Sequence, residues 1–237
     1  MRKFRDQNFW ANLWSYHLES YLATPPRCGY WMASFLRNCY NYKVLEIAAG
    51  SCRDSRYLCA VGYRVVALDF DQKTLGYLAQ RFVDSSLLYC AGDAFSLPFV
   101  EKSFDVSFSN GFWICFDDDR FLHLLLREQA RVTKKYLIAF VHNKDNDSLV
   151  RLFREKSLCD PIYDIRFFTR KELSKIVSES GISFRSISFY KFGGPADLLY
   201  FARLTKFVKY MSLLVPKLYA FQPWQRTERI VCVVELY

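Results

Sequence analysis

Two carboxylates in this sequence stand where they could hold a ligand, and the residues between them suggest which kind. Glu46 lies within an apolar run, Val44 to Ile47, that is followed by a turn of small residues, Ala48-Ala49-Gly50-Ser51-Cys52. A second apolar run, Tyr63-Arg-Val-Val-Ala-Leu-Asp69, stops on an acid. The pattern reads as strand, tight turn, helix, strand, acid. Such a unit gathers an adenosine-containing cofactor at the carboxyl ends of parallel strands. Small residues let the backbone come close, helix N–H groups point at polar atoms, and the acid accepts ribose hydroxyls.

The glycine count distinguishes among such cofactors. A pyrophosphate needs close backbone approach at two or three glycines, spaced G-x-G-x-x-G. Here only Gly50 is present, flanked by Ala49 and Ser51. S-adenosylmethionine has no phosphates, so its turn tolerates Ala and Cys. Glu46 beside a pyrophosphate would set like charges together in a low-dielectric cleft, whereas it suits the cationic aminopropyl and sulfonium groups. The residues therefore point to a methyl-donor site.

Four segments in order carry a resemblance over roughly residues 40–145. They are Leu45 to Asp54, Ala67-Leu68-Asp69-Phe70-Asp71, Ala91-Gly92-Asp93-Ala94, and Phe104-Asp105-Val106-Ser107-Phe108-Ser109-Asn110-Gly111. Together the chain resembles the class I S-adenosylmethionine-dependent methyltransferases, in particular the small-molecule branch called type 11. The resemblance implies an α/β, Rossmann-like, doubly wound sheet of seven strands, its last strand antiparallel, with helices on both faces and helical lids. It also implies roles. Ala48, Gly50, Ser51 and Cys52 hold the methionine portion of S-adenosylmethionine, and Glu46 orients its amino group. Asp69 accepts both ribose hydroxyls, and Phe70 covers the adenine. Asp93 takes the adenine amino group, with the Ala94 N–H on a ring nitrogen. Asn110 and Gly111 close the pocket near the sulfonium. The family usually has Gly where Ala48 and Cys52 stand, so a positive φ there would press a Cβ toward the cofactor.

These residues must be positioned by ordinary elements. Strands are expected near 43–48, 64–69, 87–91, 105–109, 136–141, 183–190 and 229–236, with helices near 53–61, 72–82, 118–131 and 169–180. Asp71 reads as a helix N-cap, and Thr169 with Glu172 as a capping box ahead of Gly181. Asp54, in a first helical turn, complements the helix dipole and is also a candidate cofactor contact. Asp105 reads as structural. The whole chain, 1–237, is expected to form one domain. Its parts are an aromatic N-terminal lid (1–40), a cofactor core (41–145) and a helical insertion before the last strand (193–228). The stretch 198–217 in that insertion sets Arg203, Lys206 and Lys209 at helical spacing. It suits packing on the sheet or at a dimer interface, a substrate cap, or peripheral contact with a membrane surface.

Methyl transfer is an in-line displacement in which orientation supplies much of the rate, and a base is needed only for an acceptor that must first lose a proton. His142, His17 and Tyr16 are the candidate catalytic groups. Trp14, Trp113 and His142 are candidate substrate contacts.

Composition sets the outer bounds. The chain has 237 residues, 18% of them aromatic, and a net charge of +9 without a concentrated basic stripe, so the charge reads as solvated surface. Its eight cysteines form no C-x-x-C pair, so neither zinc nor a disulfide framework is expected, and no metal is called for. The N-terminus lacks a signal-peptide apolar stretch, which predicts a cytoplasmic protein. The segment after the fourth strand, Ser109 to Trp113, has no proline, which disfavours nucleic-acid base methylation. The expected function is methylation of a small apolar or aromatic acceptor by a monomer or homodimer. The alternatives are a weakly binding scaffold or partner subunit, and a membrane-surface enzyme acting on a lipid-like acceptor.

Overall fold

The computed structural model describes residues 7–39, 41–201 and 214–237. At its centre is a seven-stranded sheet in the order β3-β2-β1-β4-β5-β7-β6. The strands are β1 (Lys43–Ile47), β2 (Arg64–Asp69), β3 (Leu87–Ala91), β4 (Phe104–Asn110), β5 (Thr133–His142), β6 (Phe184–Phe192) and β7 (Arg229–Leu236). The neighbouring pairs from β3 through β5 are parallel, while β7 lies antiparallel between β5 and β6. The antiparallel last strand is thus inserted one place in from the edge, as the resemblance implied.

The helices are α1 (Gln7–Leu22), α2 (Arg27–Phe35), α3 (Arg53–Ala60), α4 (Gln72–Arg81), α5 (Asp119–Val132), α6 (Asp147–Ser157), α7 (Arg170–Glu179) and the short α8 (Leu198–Phe201). Strand alternation divides the interior into two cores, because successive side chains point to opposite faces. Val44 packs in one core with Leu58 of α3 and with Leu75 and Leu78 of α4. Leu45 and Ile47 face the other, with Leu122, Leu125 and Leu126 of α5 and Leu173, Ile176 and Val177 of α7. Local signals fix the helix starts. The Asp71 carboxylate accepts from the Lys73 and Thr74 N–H groups, and Thr169 and Glu172 form a reciprocal capping box.

The structure describes parts of both segments expected to be lids. The N-terminal segment is not one lid but two helices with different duties. α1 lies over the carboxyl end of the sheet, where Glu19 bonds Tyr77 and Arg81 of α4. α2 is part of the core, with Cys28, Tyr30, Trp31, Met32 and Ala33 buried. It comes close enough to α3 that the Gly29 N–H donates to Asp54 Oδ1 at 2.8 Å. In the 193–228 insertion, Val215 and Tyr219 are buried against the first core beside Phe192. Arg203, Lys206 and Lys209 lie outside the described residues. No described helix is long and apolar enough to cross a membrane.

Candidate active site

Between β1 and β4 the strand order reverses, and in open α/β sheets a ligand crevice forms at such a point, beyond the carboxyl ends of the strands. The turn leaving β1 is wound tightly. Ala48, Gly50 and Cys52 have φ of 55°, 49° and 51°, so three of its residues are left-handed and two of those carry a Cβ. Ala48 and Cys52 therefore hold, with a Cβ, a backbone that glycine adopts without strain. A left-handed L-residue costs about 1–2 kcal/mol, partly offset by the extra unfolded-state entropy of glycine. Ala48→Gly is accordingly expected to stabilise the protein by about 0.5–1 kcal/mol in denaturant unfolding. An equal or lower stability would mean that Ala48 is not strained.

Asp69, at the end of β2, is buried and holds this turn. Its Oδ2 accepts the Gly50 N–H at 2.8 Å and its Oδ1 accepts the Asp71 N–H at 3.0 Å. Burial raises its pKa, against the pull of these backbone hydrogen bonds. Each carboxylate oxygen keeps a second lone pair for a further donor. Glu46 is also buried. Its Oε2 accepts the Ser55 N–H at 3.0 Å and the Ser55 hydroxyl, and burial together with the Asp54 carboxylate pushes its pKa up to about 8. Asp54 is a structural tie, accepting from Gly29 and, at 3.0 Å, from Asn110 Nδ2.

A cavity of about 360 Å³ opens from this crevice and runs beneath α1, within the size range of small-ligand sites. Its end beside the β1 turn is lined by Ala48, Asp69, Phe70, Asn110 and Gly111, all named as candidate cofactor contacts from the sequence. Its roof is α1, through Trp10, Leu13, Trp14, His17, Ser20 and Tyr21. The far wall comes from Phe112, Ile114, Cys115, His142, Phe153, Ile162, Tyr163 and Ile165. Trp14 reaches further, lying against the Gly50 turn so closely that a Cβ on Gly50 would sit 2.2 Å from its Cζ2.

Several expected residues are placed elsewhere. Tyr16 is 85% exposed, because it is two positions from Trp14 and so projects from the opposite side of α1. Trp113 is 1% exposed, because the 3₁₀ turn Trp113–Cys115 directs its indole into the core beside Leu45 and Ile47. Neither lines the cavity. The cavity also stops short of Asp93 and Ala94. Asp93 is exposed and its Oδ1 accepts the Phe95 N–H, while Ala94 is buried in the second core. Glu46, Gly50, Ser51, Cys52 and Asp54 lie behind the lining rather than in it.

Other lining residues escaped the sequence reading. Arg53 follows the turn and bonds the Tyr21 carbonyl and the Thr24 hydroxyl of the lid, so its position in the first motif was a usable signal. Phe153 and Tyr163 come from α6 and the 3₁₀ turn Pro161–Tyr163, and no motif marks either. Asn146 before Asp147 could have located α6, since its side chain caps the Leu149 N–H.

His142 ends β5, 5% exposed, with its ring against Phe153 and Phe167. Burial, reinforced by Arg229, lowers its pKa to about 3, so the imidazole is neutral at physiological pH. A base that weak is poorly matched to proton abstraction near pH 7. The same shift sets a pH dependence. A folded-state pKa below the 6.5 of an unperturbed imidazole means that the unfolded chain binds a proton the folded chain refuses. The contribution of this group to stability is therefore expected to fall with pH from 6.5 towards 3, by up to about 1.4 kcal/mol per pH unit. Glu46, its pKa raised from 4.5 to about 8, contributes the opposite slope between those values in wild type and variant alike. Glu228, whose pKa Arg229 and Arg27 lower to about 2, adds acid sensitivity only below the 4.5 of an ordinary Glu. Unfolding at pH 5.5 and 7 should thus separate the two, with His142→Asn showing the shallower dependence. Equal slopes would place the imidazole in contact with water.

Sheet order, switch-point turn and acid-ended β2 together define a class I, Rossmann-like methyltransferase architecture. Residues 45–139, from β1 into β5, match the family model for a methyltransferase domain. A demethylmenaquinone methyltransferase of Thermobifida fusca (strain YX) is 40% identical over 88 residues, covering 35% of this chain and 37% of the relative. Another protein of that name, from Parafrankia sp. (strain EAN1pec), is 34% identical over 111 residues, covering 39% and 42%. The matches therefore span about two fifths of these curated relatives. Among solved structures, an S-adenosylmethionine-dependent methyltransferase of Thermotoga maritima, titled a possible histamine N-methyltransferase, superposes with a TM-score of 0.66 at 16% identity. That match covers 97% of this chain and 98% of the other, and shows a shared fold.

Proposed function

We propose that this protein binds S-adenosylmethionine at the β1/β4 switch point and methylates a small, flat, apolar or aromatic acceptor held beneath α1. One observation carries the reading: a single cavity joins the cofactor end, with Ala48, Asp69, Asn110 and Gly111, to a wall of Phe112, Phe153 and Tyr163. The residues present fit the cofactor. Asp69 offers unused lone pairs at a strand end, and the turn leaving β1 already has the left-handed backbone that glycine would give it.

Bound S-adenosylmethionine would supply an electrophilic methyl carbon. The chain's own part is to orient and to exclude water. Asp69 fixes the ribose, Phe70 covers the adenine, and the Asn110–Gly111 turn sits between the two ends of the cavity. Trp10, Leu13 and Trp14 of the lid close it from solvent, and in-line alignment in such an enclosure supplies much of the rate. The acceptor named for the two curated relatives, demethylmenaquinone, carries a flat ring of the kind this wall would accommodate. The test is calorimetric titration with S-adenosylmethionine and S-adenosylhomocysteine. Saturable micromolar binding is expected, and no binding to either would overturn the reading in favour of a scaffold.

A further inference from the structure

Arg229 lines the cavity, and the methyltransferase reading leaves its chemistry unused. It opens β7 and pairs in the antiparallel register with His142, the last residue of β5, so the two side chains are cross-strand neighbours. Two of its three guanidinium nitrogens are engaged. Nε donates to Glu228 Oε1 at 3.2 Å, and Nη1 donates to Asn110 Oδ1. Nη2 makes no hydrogen bond among the described residues, and the side chain lines the cavity.

The electrostatic surroundings favour an oxygen anion at that nitrogen. Glu228 turns both of its oxygens to Arg27, at 2.8 and 3.1 Å, and offers Arg229 only Oε1. His142 beside it is neutral, and its Nδ1 is buried without a partner. A proton on Nδ1 would bury an unpaired N–H, so the tautomer protonated on Nε2 is the cheaper one, and in it Nε2 is a donor while Nδ1 keeps its lone pair. The adjacent surface is Phe153 and Tyr163, whose rings meet edge to face at 5.2 Å. An idle guanidinium nitrogen beside an apolar wall calls for a ligand that brings both an oxygen and a ring. Charge-assisted hydrogen bonds to a carboxylate or phenolate are about twice as strong as neutral ones.

We propose that the acceptor is an aromatic oxyanion, a carboxylate or phenolate, whose oxygen docks on Arg229 Nη2 beside His142 while its ring lies against Phe153 and Tyr163. The proposal deepens the methyltransferase reading and rests on it for the identity of the cavity, but it can be tested apart from it.

The probes are naphthoate and its neutral counterpart naphthalenemethanol, titrated calorimetrically into the full-length protein. Naphthoate is expected to bind about tenfold more tightly, and the preference to vanish in Arg229→Gln. Equal affinity of the two probes would overturn the proposal, as would a preference that survives in Arg229→Gln. Because Arg229 also bonds Asn110 and Glu228, Arg229→Lys is the companion variant if the glutamine form does not fold. It keeps the charge but loses the forked donor geometry, and about a threefold drop in naphthoate affinity is expected. An undiminished affinity there would equally overturn the proposal. Titration of the wild-type protein with S-adenosylhomocysteine separates the two ideas. A naphthoate preference without cofactor binding would sink the methyltransferase reading and leave the anion site standing. Cofactor binding without the preference would do the reverse.

Discussion

Asp69→Asn is expected to weaken S-adenosylhomocysteine binding by about 10- to 100-fold while leaving the protein folded. The magnitude follows from replacing a carboxylate, which accepts on both oxygens, by an amide, which accepts on one and donates from the other. Hydrogen bonds to a charged group contribute about 1.5–3 kcal/mol each, and losing one such bond corresponds to that fold-change. Asparagine is the milder substitution because Asp69 has two duties, and an amide keeps one of its two turn hydrogen bonds. It accepts the Gly50 and Asp71 N–H groups at 2.8 and 3.0 Å, and alanine would release both. Asp69→Ala is thus expected to lower stability as well as affinity, with two N–H groups left unpaired at about 1–3 kcal/mol each. The carboxylate proposed to hold the ribose also builds the turn. Calorimetry with a parallel thermal melt separates the effects, and unchanged affinity in the asparagine variant would overturn the ribose role.

That double duty illustrates what a sequence reveals and what it hides. The half proposed to hold the cofactor was legible because its geometry is local. A strand ends on Asp69, a small-residue turn follows Ile47, and each can be read within ten residues. The helix starts at Asp71 and Thr169 were legible for the same reason, since a cap needs only its own first turn. The acceptor half has no such grammar. Phe153, Ile162 and Tyr163 line the cavity only because α6 and the following turn fold back under α1. In sequence, an aromatic residue that will line a cavity looks the same as one that will fill a core, and Trp113 went to the core. Tyr16 is different. Trp10, Leu13, Trp14, His17 and Tyr21 share one side of α1, and helical spacing alone would have excluded it.

Gly50→Ala is expected to be the most damaging single change in the turn, and Trp14 is the reason. A positive φ alone does not make Gly50 special, since Ala48 and Cys52 tolerate φ values of 55° and 51° with a Cβ in place. What differs is the neighbour. A Cβ at Gly50 would stand 2.2 Å from Cζ2 and 2.8 Å from Cη2 of Trp14, inside any real contact distance. Either the indole leaves the turn, taking the lid's hold with it, or the turn opens and Asp69 loses the Gly50 N–H. The expected loss is about 1–2 kcal/mol from the backbone conformation, plus a steric part of similar size. The two parts can be separated in the Trp14→Ala background, where no ring stands in the way. There Gly50→Ala should cost only the backbone part, giving a coupling of about 1–2 kcal/mol in a double-mutant cycle of unfolding free energies. Additive losses would show that the indole does not rest on the turn in solution, and the roof of the cavity would then have to be assigned to another part of α1.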